Sequence, residues 1–135
     1  MKLLLDTHVF LWLACQSNQL PADVLSLCEI PENQLYLSVV SNWEMQIKHQ
    51  LGKLTLPTPR ERLVAKAQEE GIDILTIENH HIDVLDSLEM THRDPFDRLL
   101  MAQAQSEGLT LITADQKIHG YYDQVAMFWP GLPER

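Results

Sequence analysis

Cysteine is nearly missing from this sequence of 135 residues, and the two that occur, Cys15 and Cys28, lack the spacing of a metal site. They read as buried thiols of a reducing cytoplasm. Long apolar runs are missing too. No stretch reaches the roughly 18 uninterrupted apolar residues of a membrane-spanning helix, so no membrane is expected as a partner. Positive charge is scarce: 10 Lys and Arg stand against 19 Asp and Glu, a net charge of -9. A protein that grips nucleic acid by charge alone is basic. Any nucleic-acid role here must overcome that repulsion through metal ions, a local basic patch or a cationic partner. Repeats, linkers and low-complexity segments are absent. The six histidines show no ligand pairing, and His80-His81 is expected on an exposed helix surface.

What is present suits a globular α/β domain. A content of 45% hydrophobic and 21% charged residues is ordinary for a folded chain, and the length fits one domain, 1–135, with a single core. The opening "MKLLLDTHVFLWLAC" is similar in outline to a secretion signal. Asp6 and His8 interrupt its apolar run, however, and a cytoplasmic location is expected.

Short apolar runs at "KLLL" (2–5), "QLYLS" (34–38), "IDILTI" (72–77), "LTLIT" (109–113) and "VAMF" (125–128) predict strands. Helical patterns fall between them. They cover "HVFLWLA", Pro21 to Glu29, Ser41 to Leu51 with Gly52 as stop, 60–71, 79–88, and Asp94 to Glu107 before Gly108. Alternating strands and helices predict a three-layer α/β/α sandwich on a parallel sheet of about five strands.

Function in such sheets lies at the carboxyl ends of the strands. Asp6 ends the first strand, where it can also cap the following helix. Glu44 follows the second strand in "SNWE", which matches an S-x-x-E capping box begun by Ser41. Asp115 follows the fourth strand, and Thr113 shares its side if the strand continues. In "HRDPFDRLLMAQA", Asp94 before Pro95 has a sufficient role as helix cap. Asp97 instead aligns with Leu100, Met101 and Ala104 on an inward stripe, and a carboxylate sent inward needs a partner. Four converging carboxylates repel one another and raise a pKa. A hard divalent cation, Mg²⁺ or Mn²⁺, relieves this and suits phosphodiester hydrolysis.

Taken in order, "LLLDTH", "SVVSNWE", "DPFDRLLMAQA" and "LITAD" resemble a PIN domain over nearly the whole chain. The likeness is nearest to the VapC-like branch, found as toxins of bacterial toxin–antitoxin pairs. The resemblance implies a Mg²⁺- or Mn²⁺-dependent ribonuclease in which Asp6, Glu44, Asp97 and Asp115 form the acidic, metal-binding quartet. Thr7 and Thr113 match small polar residues that flank the site in such proteins. Many relatives carry a longer "T-x-N-x-x-D" pattern after the fourth strand, whereas "TADQKI" offers Asp115 alone. The resemblance also implies RNA as substrate, a small antitoxin as partner and a homodimer.

RNA contact falls to local groups such as Lys48, His49, Lys53, Arg93 and Arg98, each of which also suits an intramolecular ion pair or a solvated helix face. Trp12, Trp43 and Trp129 are expected in the core or a dimer face. Two other readings place acids at strand ends. A phosphatase of the haloacid-dehalogenase type needs a second Asp two residues after the first, where His8 stands. A response-regulator receiver needs paired acids after strand one, where Asp6 stands alone. A catalytically silent binding module on the same fold is the third alternative.

Overall fold

The apolar run at the start of the chain becomes the middle of the sheet. In the computed structural model, which describes residues 1–88, 94–115, Ile118 and the backbone of Val125–Met127, five strands pair in parallel. They are β1 (Lys2–Leu5), β2 (Gln34–Ser38), β3 (Asp73–Leu75), β4 (Thr110–Thr113) and β5 (Val125–Met127), in the order β3-β2-β1-β4-β5. Leu4 lies opposite both Tyr36 and Leu111, so β1 is hydrogen-bonded on its two sides.

Side chains alternate across a strand, and β1 uses both faces. Leu3 and Leu5 join Val9, Phe10, Leu37, Met45 and Ile112 in one core cluster. Leu4 joins Val40, Leu100, Met101, Ala104 and Leu111 in the other. Burying a leucine fully contributes about 1.5–3 kcal/mol, which explains why this strand carries no polar residue between Lys2 and Asp6. A strand buried on both faces needs helices on both, and the three-layer architecture follows.

The helices are α1 (Thr7–Cys15), α2 (Ala22–Glu29), α3 (Val39–Gln50), α4 (Arg60–Glu69), α5 (Asn79–Leu85) and α6 (Pro95–Glu107). Among the described residues, no helix is long and apolar enough to cross a membrane. The sixth follows its sequence signals closely. Asp94 caps it by accepting the N–H groups of Phe96 at 2.9 Å and Asp97 at 3.1 Å, and Pro95 opens the first turn. Gly108 closes it at φ +68°, a left-handed conformation that glycine adopts without strain.

Several expectations change. The third helix begins at Val39 rather than Ser41, because Ser38 supplies the cap by accepting the Val40 N–H at 3.0 Å. Ser41 therefore lies inside the helix, and the S-x-x-E capping box does not form. The third strand and fifth helix are shorter than their apolar patterns, at Asp73–Leu75 and Asn79–Leu85. Cys28 is buried as expected, but Cys15 is only half-buried. Phe128, Trp129 and Arg93 lie outside the described residues.

Candidate functional site

The strand order turns back at β1: the chain runs to β2 and β3 on one side and to β4 and β5 on the other. Crevices at such a reversal, beyond the carboxyl ends of the strands, are where ligands bind in open parallel sheets. Asp6 stands at this point. Its Oδ1 accepts the Val9 N–H at 2.8 Å, capping α1. Its Oδ2 accepts the Thr113 hydroxyl from the end of β4. Capping and membership of a site are thus combined in one residue. The carboxyl is 6% exposed, and burial holds its pKa above the usual range. The bonds from Thr113 and Val9 and the nearby His8 oppose that rise, whereas Glu44 adds to it.

Thr113 does two things. While its hydroxyl donates to Asp6, its oxygen accepts the Asp115 N–H at 3.0 Å. The hydroxyl so joins the ends of β1 and β4 and fixes the turn that brings Asp115, half-buried, beside them. The sequence placed Thr113 on the side of Asp115, and this is where it lies.

Glu44 is buried on α3, 4% exposed. Its Oε1 accepts the Thr7 hydroxyl at 2.6 Å, and the Ser41 hydroxyl lies 3.0 Å from that same Thr7 oxygen. Its Oε2 is bound by the Lys48 ammonium, one turn later on the helix. The glutamate turns into the sheet end and not back to its own backbone.

Asp97 occupies the inward stripe of α6, above the buried Leu100, Met101 and Ala104. Its pKa is pushed up to about 8. Burial is the main cause, followed by the charges of Asp94, Glu44, Asp115 and Asp6. Four carboxylates, from the β1 exit, α3, the α6 cap and the β4 exit, therefore act on Asp97. Of these five acids the sequence singled out four; Asp94 caps its helix as expected and also contributes charge to the pocket.

Other expectations fare differently. The Arg98 guanidinium donates to the Leu85 carbonyl at 3.3 Å, which ties α6 to the end of α5. His49 and Lys53 are exposed. Trp12 packs half-buried against the core. Trp43 does not enter the core: it is 54% exposed and sets its ring edge-on to Phe96, 5.3 Å between centroids. The Lys48–Glu44 pair was legible from its four-residue spacing, although spacing alone does not reveal that it lines the acid pocket.

A second cluster was missed. His81, expected on the surface, is fully buried, while His80 is exposed. His80 Nε2 and His81 Nε2 lie 2.7 and 2.9 Å from the same Glu107 oxygen, Oε2. These three side chains have the donor types of a metal site, with their ligand atoms within 4.8 Å of one another. The hydrogen bonds assign them otherwise. His81 Nδ1 accepts the Glu78 N–H at 3.0 Å and faces the Gln103 amide nitrogen at 3.4 Å. That amide is oriented by the Ser38 hydroxyl donating to Gln103 Oε1 at 2.5 Å and by its own donation to the Thr76 carbonyl at 3.1 Å. With Nδ1 an acceptor, the neutral ring carries its proton on Nε2 and donates to Glu107. A metal ligand needs the reverse, a bare Nε2 and a protonated Nδ1. The bonds from both histidines hold the Glu107 carboxyl below its ordinary pKa.

Comparison with known proteins agrees with the architecture. A family model described as "PIN domain" matches residues 3–124. Comparison with curated protein sequences gives no match. Among solved structures, the chain is similar to VapBC2 from Rickettsia felis, bound to a DNA fragment from its promoter. The TM-score is 0.68 at 17% identity, over 95% of this chain and 98% of that one. It is similar to a toxin–antitoxin complex from Klebsiella pneumoniae, with a TM-score of 0.61 at 19% identity, over 94% and 96% of the two chains. VapBC-5 from Mycobacterium tuberculosis matches with a TM-score of 0.56 at 20% identity, over 95% and 98%. At such identities the likeness establishes the fold.

Proposed function

Since the chain belongs to the PIN domain family, we propose that it is a Mg²⁺- or Mn²⁺-dependent endoribonuclease and the toxin of a toxin–antitoxin pair. The observation that carries the nuclease reading is the convergence of acids from the β1 and β4 exits, α3 and α6 on Asp97. Half-buried beside the charges of Asp94, Glu44, Asp115 and Asp6, Asp97 has its pKa pushed up to about 8. An all-oxygen donor set with excess negative charge fits a hard divalent cation. Asp6, Glu44, Asp97 and Asp115 are the residues to hold it. Bound there, such an ion supplies Lewis-acid polarisation of a phosphodiester and offsets the charge that develops during its hydrolysis.

The rest is done by the chain itself. Thr113 and the Val9 N–H fix both oxygens of Asp6, so its carboxylate does not rotate away. Thr7 and Lys48 fix Glu44 in the same manner. Burial and the neighbouring carboxylates favour the protonated form of Asp97 in the metal-free chain, and a bound cation would favour its carboxylate.

Support for the toxin reading comes from the neighbours, one of them a toxin–antitoxin complex and another from a family of toxin–antitoxin systems. An acidic chain of net charge -9 suits a small antitoxin that brings basic side chains to it, and a second copy of the chain completes the proposed assembly.

Incubating the purified chain with RNA and Mg²⁺ or Mn²⁺ tests the activity. Cleavage is expected with either ion and is expected to stop on chelation. Absence of cleavage with both ions refutes the mechanism. A small phosphodonor is expected to leave the intact mass unchanged; a phosphoaspartate adduct would favour a phosphoacceptor domain instead.

A further inference from the structure

A cation is built into the wall of the acid pocket. Lys48 follows Glu44 by one helical turn, and its ammonium lies on Glu44 Oε2. An i,i+4 pair on an open helix surface contributes little, because two long side chains rarely keep one geometry. Here the geometry is constrained from several sides. Glu44 is buried and held from its other oxygen by Thr7. The lysine side chain is only 34% exposed. Beyond Glu44, the ammonium feels Asp94 and Asp97 at the start of α6. It is thus held on Glu44, within reach of the charges that begin α6.

This placement matters for an anionic substrate. RNA approaching the pocket meets five carboxylates on a chain of net charge -9, and one divalent ion does not cancel that field. Arg98 turns one guanidinium nitrogen to the Leu85 carbonyl at 3.3 Å, and its buried Nε has no partner among the described residues, whereas Lys48 already lies on Glu44. We propose that Lys48 is a positioning residue for RNA: Glu44 holds its ammonium where it meets a non-bridging oxygen of the phosphate entering the pocket. The inference rests on the ribonuclease reading. Transfer from carboxylate to phosphate exchanges one charge-assisted hydrogen bond for another over the short reach of a flexible stem. It also frees Glu44 Oε2, the oxygen that Lys48 covers in the metal-free chain. Lys48 and a divalent cation would therefore compete for Glu44 Oε2 in the absence of RNA.

The test compares wild type, Lys48→Met and Lys48→Arg by cleavage kinetics on a labelled single-stranded RNA, Mn²⁺ calorimetry and thermal melting. Lys48→Met is expected to raise KM about tenfold, the loss of one hydrogen bond to a charged group, with a smaller change in kcat. Lys48→Arg is expected to restore most of the affinity. Mn²⁺ is expected to bind Lys48→Met as tightly as wild type or more so. The slope of log affinity against log salt is expected to fall by about 0.7, one phosphate contact fewer on a single strand. An unchanged KM with tighter Mn²⁺ binding overturns the proposal and leaves Lys48 a counter-ion. Loss of melting temperature in both variants overturns it in favour of a structural pair. A wild type that cleaves no RNA overturns the ribonuclease reading and this one with it.

Discussion

The acid pocket and the His81 network both gather ionisable side chains from several elements, yet they are built on opposite rules. In the network, donors and acceptors alternate. The Ser38 hydroxyl meets Gln103 Oε1, the Gln103 amide meets the Thr76 carbonyl, the Glu78 N–H meets His81 Nδ1, and both histidines meet Glu107. Protein groups supply the partners. In the pocket, five carboxylates face the hydroxyls of Thr7 and Thr113 and the ammonium of Lys48. Burial, and after it the charges of the other four carboxylates, push the Asp97 pKa up to about 8. Two histidines and a glutamate look more like a metal site than four acids do. The tautomer of His81 and the mutual repulsion of the carboxylates say the reverse.

Removing a carboxylate from the pocket is the strongest way to break this contrast. Asp6→Ala and Asp97→Ala are each expected to lower RNA cleavage by at least about 100-fold, since even outer-shell partners of metal ligands can cost that much. Metal-free Asp97→Asn is expected to be as stable as wild type or more so near pH 8, because a buried carboxyl that resists ionisation has gone. Urea unfolding in the presence of chelator measures this. A cleavage assay showing Asp97→Ala active would remove the pocket from consideration.

The network should respond in the opposite sense. Gln103→Leu removes the acceptor of the buried Ser38 hydroxyl proton and the donor to the Thr76 carbonyl, and it is expected to cost about 1–3 kcal/mol of stability. Cleavage per folded molecule is expected to stay near wild type. A Zn²⁺ titration of His81→Phe that matched wild type would agree with the tautomer assigned to His81, and a lost site would contradict it.

Much of this was legible in the sequence, and the failures share a cause. The places of Asp6, Asp97 and Asp115 in the fold were legible because strand ends and helix periodicity are local signals, readable from "KLLLD", "DPFDRLLMA" and "LITAD". The cap of α3 was misplaced by three residues because both Ser38 and Ser41 are good caps. The choice between them depends on where β2 stops pairing with β1 and β3, which is a tertiary matter. His81 was taken for surface because its partners lie far along the chain, 22 residues away at Gln103 and 26 at Glu107. A buried histidine next to an exposed one carries no periodic signature in a helix of 7 residues. The role of Asp94 in the pocket was hidden for a related reason: a satisfied cap gives no hint of the charges beyond it.

Proton content offers a finer test of the same contrast. The Asp97 carboxyl, ordinarily at 3.8, is pushed up to about 8 in the folded metal-free chain. Between those values the folded state binds the extra proton, so stability is expected to fall as pH rises from about 4 toward 8. Urea midpoints at pH 5 and pH 8 with chelator check the sign, and the slope should flatten in Asp97→Asn. Binding of Mg²⁺ near pH 7 is expected to release about one proton, readable by calorimetry in buffers of different ionisation enthalpy. Release of none would mean that Asp97 stays protonated beside the ion or never meets it.

The smallest effect is the most discriminating, because Asp94 belongs to the pocket by charge and to α6 by hydrogen bonding. Asparagine caps a helix as well as aspartate does, so Asp94→Asn keeps the bonds to Phe96 and Asp97 while removing the charge. It is expected to leave stability near wild type and cleavage nearly unchanged. The fall in stability with pH should become shallower, since Asp94 is the first charge, after burial, that holds Asp97 up. Asp94→Ala removes cap and charge together and is expected to cost about 1 kcal/mol through the lost cap. If Asn and Ala behave alike in urea, the cap is not what Asp94 contributes. If instead Asp94→Asn loses cleavage as Asp97→Ala does, the two aspartates share the chemistry, and the division between helix start and site dissolves.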